Sequence, residues 1–506
     1  EVFSNTVVEQ YRVLGDNSKS HLEQKQKTKM VNSLNQKIRK VVGCCMLINL
    51  FMSLQANDSA DIIKEAYLHN DHFRFESTVL IQDNLDEPLV FEVLDDGRVF
   101  LIERKGTIKL YQPTDASLRT IGFLEVNTSG NKEQGLVGMT LDPDFRENGW
   151  MYLYYFHPNQ AKATISRWDI LDDTLMADSE KILLEFPAQR ETCCHTGGGM
   201  TWDKDDNLYI ATGNNTGINE TSHTDERPGR NSWDGQRGAS NTDSLEGKIL
   251  RIYPEPNGSY TIPQGNLFPL TTPLTRPEIY TMGHLNAWRV SIDSATGYLY
   301  WGETGPDGSE DSKLGPKGFD EFNQARGPGF FGWPYFTGGA AFPVMDYETN
   351  TTSETKNPKY PTNLSPNNTG MTELPPVSPS FINYSHDQNE QFPSMGIGER
   401  SATGGPVYRR ADYPKARHPW PDYFEGKWLA AEFSRKAIFL IAMDQKGNAQ
   451  SLERFLPGYH PSGPIDMKFA PDGNLYVLEH GERRFQSNSE AKLVRIIYDG
   501  NSHSKF

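Results

Sequence analysis

The sequence predicts an all-β fold, a six-bladed β-propeller with long inter-strand loops. Three observations carry this expectation: 44 glycines and 11% aromatic residues in a chain of 506, a strand–turn–strand unit that recurs six times, and long polar stretches without helical periodicity. The formal charge of −16 excludes nucleic acid as a partner class, because a polyanion binder needs a basic face that displaces phosphate counterions.

Residues 1 to 40 are polar, and Lys37, Arg39 and Lys40 stand directly before an apolar run from Val41 to Leu54. A charged stretch, a short apolar run and then the small residue Ala56 form the layout of a secretory signal, and the run is too short to span a bilayer. The expected organisation is an N-terminal extension and signal peptide over 1–56, with Met30 where such a signal would naturally begin. A linker over 57–74, the propeller over 75–498 and a tail over 499–506 follow. The expected location is secreted or periplasmic, with no membrane span in the mature form. Nine Asn-x-Ser/Thr sequons, including Asn57, Asn127, Asn257 and Asn383, are glycosylation candidates in a eukaryotic secretory pathway.

The repeated unit is an alternating apolar strand, an Asp-x-x-Gly-like turn and a strand carrying an aromatic. It runs from Val93 to Phe100, from Leu141 to Tyr152, from Trp202 to Tyr209, from Ile292 to Tyr300 and from Phe469 to Tyr476, with a weaker copy from Phe424 to Leu429. Glycine supplies the positive φ that a tight hairpin needs. One such unit cannot bury its own face, but six around an axis bury one another. The spacing is uneven, so the excess is loop. The longest interruptions, Gly213 to Asn241 and Phe342 to Glu399, are expected to be excursions over the active face.

Four cysteines occur as two adjacent pairs, Cys44-Cys45 and Cys193-Cys194, which gives neither a spaced disulfide framework nor a zinc knuckle. Two readings stand for Cys193-Cys194, packed thiols or a redox-active vicinal disulfide. His195 follows directly, before three glycines and the third repeat. An imidazole there has the chemistry of a general base beside a backbone that a ligand approaches closely, or it is a hydrogen-bonded structural residue. Between Gly283 and Phe336 the acids Glu303, Asp307, Asp320 and Glu321 join the backbone carbonyls of Gly305 and Pro306. That oxygen set suits calcium, or the acids satisfy loop amides. Trp333 and Tyr335 either stack on a sugar ring or pack the loop.

Taken together, Cys-Cys-His-Thr-Gly-Gly at 193 to 198, Asn-Leu-Tyr-Ile-Ala-Thr-Gly-Asn-Asn at 207 to 215, Gly-Lys-Ile-Leu-Arg-Ile at 247 to 252, Gly-Glu-Thr-Gly-Pro-Asp at 302 to 307 and Phe-Gly-Trp-Pro-Tyr-Phe at 331 to 336 resemble the glucose/sorbosone dehydrogenase family. The resemblance spans about residues 75 to 498 and implies a soluble propeller enzyme that uses pyrroloquinoline quinone (PQQ) and calcium. It further implies that His195 takes the proton of a sugar hydroxyl while hydride passes to the quinone, and that electrons then leave to an external acceptor. Gly305 and Pro306 correspond to the calcium carbonyls and Asp320-Glu321 to an additional calcium site, while Asn286, Asn215, Ser434 and Arg435 fall at or beside cofactor- or sugar-contacting positions. The chain departs from the pattern where Leu285 replaces an arginine and where paired late arginines are missing before Asp466. A quinone with three carboxylates needs cationic partners. The departures therefore support a second expectation, a non-catalytic glycan- or protein-binding propeller that has lost the quinone site.

Overall fold

The computed structural model describes residues 74–129, 132–217 and 223–500. The expected signal peptide with Met30, the linker except Arg74, Asn57 and most of the tail lie outside the described residues.

Among the described residues, strands begin at Phe75 and end at Tyr498; beside two small two-stranded sheets they form six larger sheets, antiparallel except where Ile279–Met282 meets Gly329–Phe330, arranged as the blades of a propeller. The innermost strands, in chain order, are Pro88–Val93, Leu136–Leu141, Gly197–Trp202, Asn286–Ile292, Ala402–Gly404 and Pro464–Phe469. The second strands are Val99–Glu103, Trp150–Phe156, Leu208–Thr212, Leu299–Thr304, Trp428–Glu432 and Leu475–Glu479. Among the described residues the α-helix is confined to the single turn Phe145–Asn148. The sixth blade takes its outermost strand from the start of the described chain: Phe75–Ile81 pairs antiparallel with Lys492–Tyr498, with Phe75 opposite Tyr498. This pairing closes the ring by holding the two ends of the described chain in one sheet.

Five of the six repeats are the hairpins between innermost and second strands, and Gly97, Gly297 and Gly473 turn them with φ of 83°, 70° and 80°. The weak sixth copy differs. Residues 405–427 separate the fifth innermost strand, Ala402–Gly404, from Trp428–Glu432, so the Phe424 to Leu429 segment is only the approach to a second strand.

Second strands are buried on both faces, as Val99–Glu103, Leu208–Thr212, Trp428–Glu432 and Leu475–Glu479 all show. Aromatics join neighbouring blades. Between the fourth and fifth, Trp428 meets Tyr300 at 5.0 Å and Phe322 at 5.6 Å between ring centroids. Each such ring contributes about 1.5–3 kcal/mol by leaving water, and a pair about 0.5–1.5 kcal/mol more.

The two excursions are tied to each other. Asp234 accepts from Ser365 Oγ at 2.7 Å and Asn367 Nδ2 at 2.9 Å, and Asn363 Nδ2 donates to the Gln236 carbonyl at 2.9 Å. Trp333 and Tyr335 are buried in the loop, and the Tyr335 hydroxyl donates to Gln236 at 2.9 Å, which makes the packing reading the right one. The sequons differ in access: Asn257 is exposed, whereas Asn127 is buried and donates to the Ser129 carbonyl at 3.2 Å, a poor position for a glycan.

Candidate active site

A cavity of about 210 Å³ lies where the starts of the six innermost strands converge. Every blade contributes to its wall: Leu89, Glu133, the Cys193–His195 segment, Asn286 with Trp288, Ser401 with Thr403, and Ile465. The ends of second strands complete it with Arg104, Thr304, Asp307, Phe433, His480, Arg484 and Phe485.

A recurring latch positions these residues. Four second strands carry a buried glutamate at or next to their last residue: Glu103, Glu303, Glu432 and Glu479. Each accepts a backbone N–H from the segment leading into the innermost strand of its own blade, from Asp86 at 2.7 Å, Leu285 at 2.8 Å, Ser401, and Ser462 at 2.6 Å respectively. The residue after each glutamate, Arg104, Thr304, Phe433 or His480, lines the cavity. A carboxylate accepting an amide N–H is a charge-assisted bond, and burial keeps water from competing with it.

His195 is 5% exposed and lies in the left-handed region at φ 63°. Three contacts hold it there. Its N–H donates to Glu133 Oε2 at 2.6 Å, the Asn215 N–H donates to its carbonyl at 2.9 Å, and its Nδ1 stands 2.9 Å from the Thr216 carbonyl. A carbonyl only accepts, so Nδ1 carries the proton and Nε2 is left with its lone pair. Gly213 cannot carry a side chain, since a Cβ there would collide with the His195 carbonyl. The Sγ atoms of Cys193 and Cys194 are joined as a vicinal disulfide, the pairing that the second reading requires.

Other expected site residues separate into two groups. Asn286 lines the cavity, and its Oδ1 accepts from the Gly197 N–H at 2.9 Å. Ser434 is not on the wall, and its Oγ accepts from Arg484, which is. Asn215 stands behind His195 and not on the cavity wall. Arg435 is turned away: its guanidinium donates to the carbonyls of Ser385 at 2.7 Å, Met395 at 3.1 Å and Glu399 at 3.2 Å, and so clamps a loop. Leu285 is 1% exposed and packs with Ala239, Trp333 and Phe342, away from the cavity.

The acids expected to bind calcium are occupied. Asp320 accepts N–H bonds from Gly305 at 3.1 Å and Ala402 at 2.9 Å, and pairs with Arg400. Glu321 accepts from Gly338 N–H at 2.6 Å and Asn323 Nδ2 at 2.8 Å, and burial together with Glu303 pushes its carboxyl well above the usual range. Gly305 and Glu321 face a void of about 10 Å³ with Glu303, separate from the main cavity.

Two arginines at the wall were missed by sequence reasoning, and a third, Arg289, lies behind it. Arg104 and Arg484 bring guanidinium groups to the wall, with Arg104 also bound to Glu87 at 2.6 Å and Arg484 lying 5.4 Å from the Phe433 ring centroid. Arg289 donates to the carbonyls of two wall residues, Leu89 at 2.7 Å and Ile465 at 3.1 Å. The signal for Arg104 was present in the sequence as the Glu-ended second strands.

A six-bladed ring with a buried base and cationic groups facing one axial cavity is the class of the propeller dehydrogenases. The chain belongs to the Glucose / Sorbosone dehydrogenase family, whose model matches residues 85–375, more than half of the sequence. It is similar to the Escherichia coli aldose sugar dehydrogenase YliI, 25% identical over 58% of this chain and 71% of that protein. Quinoprotein glucose dehydrogenase B of Acinetobacter calcoaceticus is 23% identical over 80% of this chain and 85% of that one. A match to an uncharacterized Synechocystis protein, 26% identical over 51% of this chain, spans only 58% of that relative's length. In fold, the chain resembles the PQQ-bound aldose sugar dehydrogenase of Streptomyces coelicolor, with a TM-score of 0.54 and 19% identity over 83% of this chain and 98% of that one. The apo aldose sugar dehydrogenase of E. coli gives 0.57 and 20% over 84% and 100%.

Proposed function

We propose that this protein oxidises an aldose or related sugar, with PQQ as the electron acceptor in the cavity and an external carrier receiving the electrons. The observation that carries the reading is His195, whose Nδ1–H is fixed on the Thr216 carbonyl while the residue lines the cavity. A base held in one tautomer accepts a proton through Nε2 without first reorienting, the arrangement that general-base catalysis requires. Glu133 keeps the His195 backbone in place, and Asn286 ties the start of the third blade to the fourth.

The quinone fits the residues present. Its carboxylates suit the guanidinium groups of Arg104 and Arg484, and its planar rings suit Trp288, Phe433 and Phe485 on the walls. When bound, it supplies a two-electron acceptor for hydride. The argument for a lost site rested on Leu285 and the missing late arginines, and here the cationic groups come from other positions. The calcium expected at Gly305, Pro306, Asp320 and Glu321 does not fit as well, because Pro306 and Asp320 already satisfy Arg400. No step is assigned to it. Export remains part of the proposal on the strength of the leader and suits a disulfide at the cavity wall.

His195→Asn tests the reading. An asparagine amide retains a donor for the Thr216 carbonyl but no basic nitrogen. Dye-coupled sugar oxidation by PQQ-loaded protein is expected to fall about 10²–10⁴-fold in kcat, with quinone affinity by absorbance titration little changed. Full activity in the variant would overturn the assignment of the base. Absence of quinone binding and turnover in the wild type across a panel of aldoses would overturn the function.

A further inference from the structure

Two oxygens that the family resemblance assigns to calcium, one from each of its two expected sites, already share a cation belonging to the chain. Arg400 is 5% exposed and reaches the Asp320 carboxylate with Nη1 and the Pro306 carbonyl with Nη2, the latter at 2.6 Å. Both Asp320 oxygens have donors, Oδ1 from Arg400 and Gly305, and Oδ2 from Ala402. The backbone clears space for this clamp. A Cβ on Gly318 would collide with both the Pro306 carbonyl and Arg400 Nη2, and one on Gly305 would collide with the Phe319 carbonyl.

A guanidinium is a rigid planar fork that stays charged and bonds two acceptors in fixed directions. Calcium requires about six to eight oxygens around one point. A divalent ion bound to Pro306 and Asp320 would confront the buried guanidinium at close range, and the two positive charges repel strongly where water is excluded. One cation holds these oxygens or the other does.

We propose that Arg400 is the resident cation of the Pro306 carbonyl and the Asp320 carboxylate, a guanidinium standing in place of a metal ion, so that these oxygens need no calcium. The chain has thereby exchanged a dissociable cation for a covalent one behind the cavity wall, where Thr304, Asp307, Ser401 and Thr403 are its sequence neighbours. The inference rests on the family reading of Gly305 and Pro306. Its test uses the apoprotein, so failure to oxidise any sugar leaves it standing.

Calcium binding is measured by calorimetry on the wild type, on Asp320→Asn, on Arg400→Met and on the Arg400→Met/Asp320→Asn pair. The expected result is that Arg400→Met gains one calcium per chain, at least tenfold tighter than any binding the wild type shows at these oxygens. The double variant should lose it, and Asp320→Asn alone should leave wild-type binding unchanged. A wild-type calcium that Asp320→Asn abolishes would overturn the proposal, as would a folded Arg400→Met that gains none. Should Arg400→Met not fold, a crystal structure of the wild type grown in millimolar calcium decides. Arg400 still on Pro306 and Asp320 upholds the proposal, and a calcium between those oxygens with Arg400 displaced overturns it.

Discussion

Acidification should destabilise this protein through His480, a cavity residue outside the proposed proton transfer. Its side chain is 4% exposed, and its Nδ1 lies 3.2 Å from Asn488 Nδ2, a donor that only a neutral, accepting nitrogen can satisfy. Burial pulls its pKa down to about 4, and the Arg104 guanidinium adds to this against the opposing charge of Glu87. With the folded value below the unfolded one near 6.5, the unfolded chain holds more protons between pH 4 and 6.5. Stability therefore rises with pH across that window and is lost on acidification. The gap, at about 1.4 kcal/mol per pH unit, corresponds to roughly 3 kcal/mol. Urea unfolding of the wild type and His480→Gln at intervals from pH 4 to 7.5 measures it, since glutamine retains an acceptor for Asn488 and does not titrate. The wild-type curve should converge on or fall below the variant's as pH drops. Parallel curves would refute the reasoning.

Two further outcomes follow from the buried acids. Asp234→Ala removes the acceptor that joins the excursions at Ser365 and Asn367, leaving each donor unsatisfied at about 1–3 kcal/mol. Limited proteolysis should then cut within residues 342–399 faster while the propeller core survives. Glu432→Gln keeps an acceptor for the latch of the fifth blade. Burial pushes Glu432 up to about 7, so the wild type loses stability as pH rises from 4.5 to 7. The variant, followed by thermal unfolding, should show a flatter profile there.

The blades were legible because the hairpin at the centre of each is local: Asp-x-x-Gly fixes the turn, and alternating aliphatic and aromatic residues fix the faces. Ala402–Gly404 was not legible, since a three-residue strand has too little pattern and its partner lies beyond residues 405–427. His195 and Asn286, both expected from the resemblance, line the cavity because each stands at or just before the start of an innermost strand. Arg104 and Arg484 were invisible to motif comparison because the geometry of a ring lets different strands deliver the same charge to one axis. Arg435 has no place on the cavity wall for a related reason: successive residues at a strand end point in different directions, and the guanidinium found a cluster of carbonyls. Arg400 gave no local signal, as its partners lie 80 and 94 residues away.

The pairing of Phe75–Ile81 with Lys492–Tyr498 also dictates an order of events during biosynthesis. The Arg74 guanidinium and the Tyr498 hydroxyl bond across 424 residues of sequence, so among the described strands the first to leave the ribosome waits unpaired until the last arrives. Five blades can assemble in that interval, each from strands made close together. The sixth cannot, and the axial cavity stays open on one side because Ile465, His480 and Arg484 belong to it. During that interval the waiting strand and the unfinished ring present free edges, the surfaces from which misassembly starts. Completion of the cavity and removal of the aggregation hazard are thus a single step, delayed until Lys492–Tyr498 has been made.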